Sequence, residues 1–144
     1  MTHRVNRKVA VTGASGHIGA NLVRELLDRD YEVVALVRKS CQALEGLDIK
    51  RAYGDLADLQ SLCEAFSGAG HVYHLAAYIS IQSGENAILE QTNVEGTRNV
   101  LEACRLDGVT TLVLFSSIHA LKLEPLDQAV TENNPLLGER TGHG

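Results

Sequence analysis

Short unbroken apolar runs alternate along this chain with longer stretches in which apolar residues return every three or four positions. The runs KVAVT (8–12), EVVALVR (32–38), IKRAYGD (49–55), HVYHLAA (71–77) and TTLVLFSS (110–117) read as strands, the third the weakest. HIGANLVRELLDRD (17–30) reads as a helix whose apolar positions are Ile18, Leu22, Leu26 and Leu27. DLQSLCEAF (58–66) is a second helix, with Asp58 placed to cap it. A third helical pattern, over 85–107, carries Ile88, Val94, Val100, Leu101 and Cys104, and Gly108 follows as its stop signal. Residues 39–47 read as a loop or a short helix.

Strands that are apolar throughout must be covered on both faces, and strands alternating with helices imply a parallel sheet. Right-handed crossovers then favour a doubly wound α/β fold with strand order 3-2-1-4-5. Residues 1–117 hold this unit, whereas residues 118–144 are polar, loop-like and without a clear period.

Composition narrows the function classes. The 144 residues suffice for one proper core, and 44% hydrophobic against 22% charged residues is a soluble globular balance. A net charge of −5 argues against a nucleic-acid partner. The apolar runs are too short to span a bilayer, and the N-terminal residues show no apolar leader, so a cytoplasmic protein is expected. Cys41, Cys63 and Cys104 form no CxxC and read as reduced thiols, small buried hydrophobes in role. The six histidines form no HxxxH or HExxH, so no metal site is expected.

The chemistry begins at VTGASGHIG (11–19), between the first strand and the first helix. Gly13 permits a tight turn, Gly16 lets backbone approach a pyrophosphate, and Gly19 allows close packing of helix on strand. The helix end presents free N–H groups and a positive dipole end to an anion. Ser15, His17 and Ile18 share the loop and join the candidate cofactor-binding residues. His17 stands near a phosphate's place, with an exposed surface imidazole as the alternative. The bland alternative for the whole motif is an ordinary glycine-rich turn.

The spacing is GxxGxxG, and further landmarks follow in order: GDLAD (54–58), VYHLAA (72–77), TNVEGTRNVLEAC (92–104) and LVLFSS (112–117). On these motifs the chain resembles the extended short-chain dehydrogenase/reductase family, the NAD(P)-dependent epimerase/dehydratase group, and within it the dihydroflavonol reductase-like branch. The resemblance implies a Rossmann-like fold, a nicotinamide dinucleotide cofactor and a small-molecule carbonyl substrate. It puts Asp55 on the adenine amino group and Leu56 against the adenine face. It gives Asn93 a supporting role for the active-site backbone, with Thr97 on the same helix face. It aligns Ser117 with the catalytic serine that hydrogen-bonds the substrate oxygen, with Ser116 beside it. Ala76 and Ala77 end the fourth strand, where small side chains let backbone approach the cofactor, or simply pack tightly. His74, inside that strand, reads as a packed, hydrogen-bonded core histidine.

Two departures shape the expectation. The second strand ends LVRKS, without the carboxylate that accepts hydrogen bonds from adenosine ribose in NAD-binding relatives. Arg38 and Lys39 can instead pair with a 2′-phosphate, which favours NADP(H) over NAD(H); a solvated basic pair is the alternative. The family's catalytic Tyr-x-x-x-Lys pair is also absent. Tyr31, Tyr53, Tyr73 and Tyr78 are followed four positions on by Ala35, Ala57, Ala77 and Gln82, and all precede Ser117. The chain therefore reads as the cofactor half of the family pattern, stopping before a sixth strand and a substrate lobe. A truncated product, a shifted reading frame and a naturally short protein all remain open. The expected consequences are cofactor binding with negligible turnover, and homo-oligomers formed through the apolar edge of the fifth strand. A regulatory NADP(H)-binding module and an inactive fragment are the competing readings.

Overall fold

A computed structural model of the chain describes residues 6–39, 41–79, 86–122 and 127–138. It divides into two units, residues 1–114 and 115–144, each taken by itself below.

The first unit begins with β1 (Lys8–Thr12), α1 (His17–Asp28), β2 (Glu32–Val37), a 3-10 turn at Gln42–Leu44, and β3 (Lys50–Tyr53). It continues through α2 (Leu59–Phe66), β4 (His71–His74) and α3 (Asn86–Leu89). A π-helical turn at Glu90–Glu95 leads into α4 (Gly96–Leu106), and β5 (Thr111–Leu114) closes the unit. The sheet is parallel throughout, in the order β3-β2-β1-β4-β5, as the alternation predicts. The architecture is Rossmann-like. Among the described residues no strand pairs with the outer edge of β5.

Alternation along the strands feeds two cores, one per face. Val9, Val11, Val33, Ala35 and Val37 pack under α1 with Val23 and Leu26. Ala10, Val34, Leu36 and Val72 face α2 and α4, meeting Leu62, Phe66, Val100 and Ala103. Burial on both faces is the reason these strands read as continuous apolar runs. Asp58 caps α2 as expected, its carboxylate accepting from the amides of Gln60 and Ser61. Gly108 takes a left-handed φ of +66°, and the next amide, of Val109, bonds back to the Cys104 carbonyl.

Several expectations are corrected. The buried face of α1 is Gly19, Ala20, Val23 and Leu26, while Ile18 is exposed, because the helix turns Gly19 inward against the glycine loop. Ile88 and Leu101 are likewise exposed, although their spacing matches a helical face. Cys104 is buried, but Cys41 and Cys63 are only partly so. Strand β4 stops at His74 rather than Ala77, because the amides of Ala76 and Tyr78 are taken by side chains of Thr12 and Asn93. Strand β5 stops at Leu114, opposite His74, the last residue of β4, rather than at Ser117.

The second unit is more ordered than a polar tail predicts. A 3-10 turn spans Ile118–Ala120, and Leu121 pairs with Leu136 across an antiparallel bridge. The Lys122 amide donates to the Pro135 carbonyl, and the Asn134 side chain donates to the Lys122 carbonyl. Among the described residues no helix is long and apolar enough to cross a membrane.

Candidate functional site

In an open parallel sheet, ligands bind outside the carboxyl ends of the strands, where the strand order reverses. Here the reversal lies between β1 and β4. A cavity of about 450 Å³ opens beside it, lined by Gly13, Ser15, Gly16, Arg38, Asp55 and Leu56 together with Ala76 and Ala77. These eight residues come from four separate stretches of chain, and each was picked out from the sequence. Gly54, Tyr78, Gln91 and Thr92 also line it; Gly54 and Thr92 open two of the quoted motifs, but the motif reading assigned none of the four a place at the site.

Gly13 and Gly19 are required by geometry. Gly13 has φ of +70°, and a Cβ there would lie 2.6 Å from the Ala76 nitrogen. A Cβ on Gly19 would lie 2.1 Å from the Gly13 carbonyl oxygen. Gly19 thus packs on the glycine loop itself, not on the strand. Gly16 caps α1 in extended backbone, and no side chain caps that end. The Gly16 amide donates to Gly13 and the Ala20 amide to Gly16, so the His17, Ile18 and Gly19 amides lie in the first turn, which has no intrahelical acceptors. The side chains of His17 and Ile18 are exposed, and neither lines the cavity.

At the far side Arg38 is exposed and lines both this cavity and an adjoining one of about 490 Å³, shared with Ser15, Lys39 and Cys41. Neither Arg38 nor Lys39 has an ion-pair partner among the described residues. Asp55 folds into a local turn, one carboxylate oxygen accepting from the Ala57 amide at 2.9 Å. Leu56 is held from behind: Asn99 donates to its carbonyl at 2.9 Å, and Gly96 leaves room for its side chain.

The helical stretch on either side of Gly96 also organises the β4 edge. Asn93 grips Tyr78 twice, accepting from its amide at 2.8 Å and donating to its carbonyl at 2.9 Å. The π turn carries Asn93, and such turns recur at functional sites because the extra residue re-aims the side chains around it. His74 is 2% exposed, its Nδ1 2.6 Å from the Thr12 hydroxyl and its Nε2 3.1 Å from the Thr97 hydroxyl. This is the packed core histidine that the sequence suggests. Thr12 and Asn99 escaped the sequence reading, since neither stands in a spacing that marks a partner.

Burial holds the His74 pKa below the ordinary histidine value. Between its depressed folded value and about 6.5, the unfolded chain binds a proton that the folded chain refuses. His74's contribution to stability is therefore fully present above about pH 6.5 and falls away as pH drops toward the folded value. Urea midpoints measured across this range should show a flatter acid-side slope in His74→Gln than in the parent. An identical slope would remove His74 as the source.

Ser116 and Ser117 belong to the second unit and are both exposed. The Ser117 hydroxyl oxygen accepts from the His119 amide at 3.2 Å, capping the 3-10 turn. Among the described residues no cluster of histidine, cysteine and carboxylate side chains is arranged to hold a metal ion.

A cleft lined by the glycine loop that leads into α1 and by an arginine without an ion-pair partner among the described residues suits an extended anionic ligand. Residues 9–143 match the model of the NAD dependent epimerase/dehydratase family. Sterol demethylase protein B of Methylococcus capsulatus is 45% identical over 117 residues, covering 80% of this chain and 36% of the relative. A putative dihydroflavonol 4-reductase of Synechocystis is 38% identical over 125 residues, covering 85% of this chain and 36% of the relative. The structure of a short-chain dehydrogenase/reductase superfamily protein from Agrobacterium tumefaciens with bound NAD superposes with a TM-score of 0.76 at 30% identity. That match covers 90% of this chain and 39% of the other. The chain thus spans little more than a third of the length of these curated relatives.

Proposed function

The chain belongs to the NAD dependent epimerase/dehydratase family, and from that premise we propose that it is the cofactor-binding part of an NADP-dependent reductase of a carbonyl substrate. The observation that carries this reading is the convergence of the glycine loop, Arg38, Asp55–Leu56 and Ala76–Ala77 on one cavity. The first-turn amides of α1 hold the pyrophosphate. Asp55 and Leu56 take the adenine, Ser15, Arg38 and Lys39 the 2′-phosphate, and the Ala76–Ala77 backbone the nicotinamide half. The bound dinucleotide supplies hydride chemistry, and the protein supplies binding and orientation. Ser117 keeps the role of hydrogen-bonding the substrate oxygen, with Ser116 as its neighbour.

The test is a thermal-stability titration with NADPH and, separately, NADH. A ligand that binds only the folded chain raises stability by about 2.7 kcal/mol at a hundredfold excess over its Kd. A larger shift with NADPH supports the reading, and no shift with either dinucleotide overturns it.

The lack of any Tyr-x-x-x-Lys favours a narrower form of the same reading, in which this chain binds dinucleotide without turnover. Ser117-dependent oxidation of NADPH by a carbonyl compound would overturn that form. The outer edge of β5, with which no strand pairs among the described residues, supports self-association, since an unpaired strand edge is a template for another chain. Sedimentation at rising concentration should show dimers or larger species, and a monomer throughout would refute this. A cytoplasmic setting belongs to the proposal, and three free thiols suit it.

A further inference from the structure

A chain of hydrogen bonds runs from β4 through β1 and back across to the helix, and its direction can be worked out. The Thr97 hydroxyl lies 2.7 Å from the Asn93 carbonyl, which can only accept, so the one hydroxyl hydrogen of Thr97 points there. Toward His74 the Thr97 oxygen must then accept, which places a hydrogen on His74 Nε2. A neutral imidazole with Nε2–H has a bare Nδ1, and that nitrogen accepts from the Thr12 hydroxyl. The Thr12 oxygen keeps a lone pair for the Ala76 amide, 3.3 Å away. Every hydrogen in the series, from the Ala76 amide through Thr12, His74 and Thr97 to the Asn93 carbonyl, has one donor and one acceptor.

Both ends of the series meet the cavity wall. Ala76 is fixed through Thr12, and Tyr78 is fixed by the side chain of Asn93. The Ala76 nitrogen is also the atom nearest to where a Cβ on Gly13 would stand. One end of the series therefore lies on the backbone that packs against the glycine loop.

We propose that His74 is a positioning residue for the dinucleotide. As a neutral Nε2–H imidazole it holds Ala76, through Thr12, at its distance from Gly13, and so sets the width of the crevice the cofactor crosses. His74 touches neither cofactor nor substrate in this role. The inference rests on the dinucleotide-binding reading above.

The test pairs Thr12→Val, which keeps the shape and removes the hydroxyl, with Thr12→Ser, which restores it. NADPH dissociation constants are measured by fluorescence on chains shown to be folded by circular dichroism. Thr12→Val should weaken NADPH about tenfold, from one lost hydrogen bond and the groups it leaves unpaired, and Thr12→Ser should stay within about twofold of the parent. A merely structural role would lower the melting temperature and leave the affinity of the folded chain unchanged. Nitrogen-15 shifts of His74 in the unaltered chain report the tautomer without any variant, so the assignment stays testable if Thr12→Val does not fold. An Nε2–H imidazole supports the proposal, and an Nδ1–H imidazole overturns it. Parent-like NADPH affinity in Thr12→Val overturns the positioning role alone. An unaltered chain that binds neither dinucleotide overturns the proposed function, and the positioning role with it.

Discussion

Replacing Gly19 with alanine is expected to destabilise the fold by about 2 kcal/mol and to remove the thermal shift produced by dinucleotide. The added Cβ would sit 2.1 Å from the Gly13 carbonyl oxygen and 2.9 Å from the Ala14 Cα. Both neighbours are backbone, so no side chain can swing aside. The Gly13 carbonyl also accepts from the Gly16 amide at 3.0 Å, and pushing it away opens the turn that aims the helix amides. Overpacking of this kind costs about 3 kcal/mol, and alanine's better helix propensity returns about 1 kcal/mol, so the clash wins. The melting temperature should fall by roughly 8 °C. Gly46→Ala is the control: Gly46 has φ of +72° but nothing within 4 Å of its Cβ. Its cost is left-handed strain alone, about 1 kcal/mol, with dinucleotide binding kept. Calorimetry with and without NADPH checks both variants, and a Gly19→Ala chain that still responds to NADPH would refute the packing argument.

Arg38→Asp should weaken NADPH by about a hundredfold and change NADH by less than about threefold. A hydrogen bond to a charged group contributes about 1.5–3 kcal/mol, and the introduced carboxylate adds repulsion against a 2′-phosphate. The same carboxylate can accept from ribose hydroxyls, which protects NADH affinity. Arg38 is exposed and unpaired among the described residues, so stability should change by no more than about 0.5 kcal/mol. Isothermal titration with both cofactors decides the point. Equal weakening of the two would sink the NADP preference.

These two variants draw on features that were readable to different degrees. The three glycines and Arg38 stand out from their spacing and from their place after a strand. That Gly19 packs on the Gly13 carbonyl, and not on the strand, appears only when the loop folds back on the helix. The apolar face of α1 shows the same limit. A three-to-four spacing selects Ile18 and Leu22, but the helix buries Gly19 and Ala20, with Gly19 turned against the glycine loop. Small residues rank low in hydrophobicity, yet their size decides which face is buried. The ends of β4 and β5 were read too long because the apolar run continues after the ladder has stopped. The fold-back of the second unit escaped because a single pair of leucines carries no period.

The sequence by itself determined the strand order, the glycine loop, the Asp58 cap and the family. Each follows from local signals: unbroken apolar runs that demand two covered faces, and residue types that suit one backbone shape. Tertiary structure alone decided the π turn, the grip of Asn93 on Tyr78 and the series through His74. Thr12 and His74 are 62 positions apart, and His74 and Thr97 are 23 apart. No short-range pattern relates such residues. They meet because parallel pairing sets Thr12 beside His74 in register, and the packed helix then brings Thr97 to the other side of the ring.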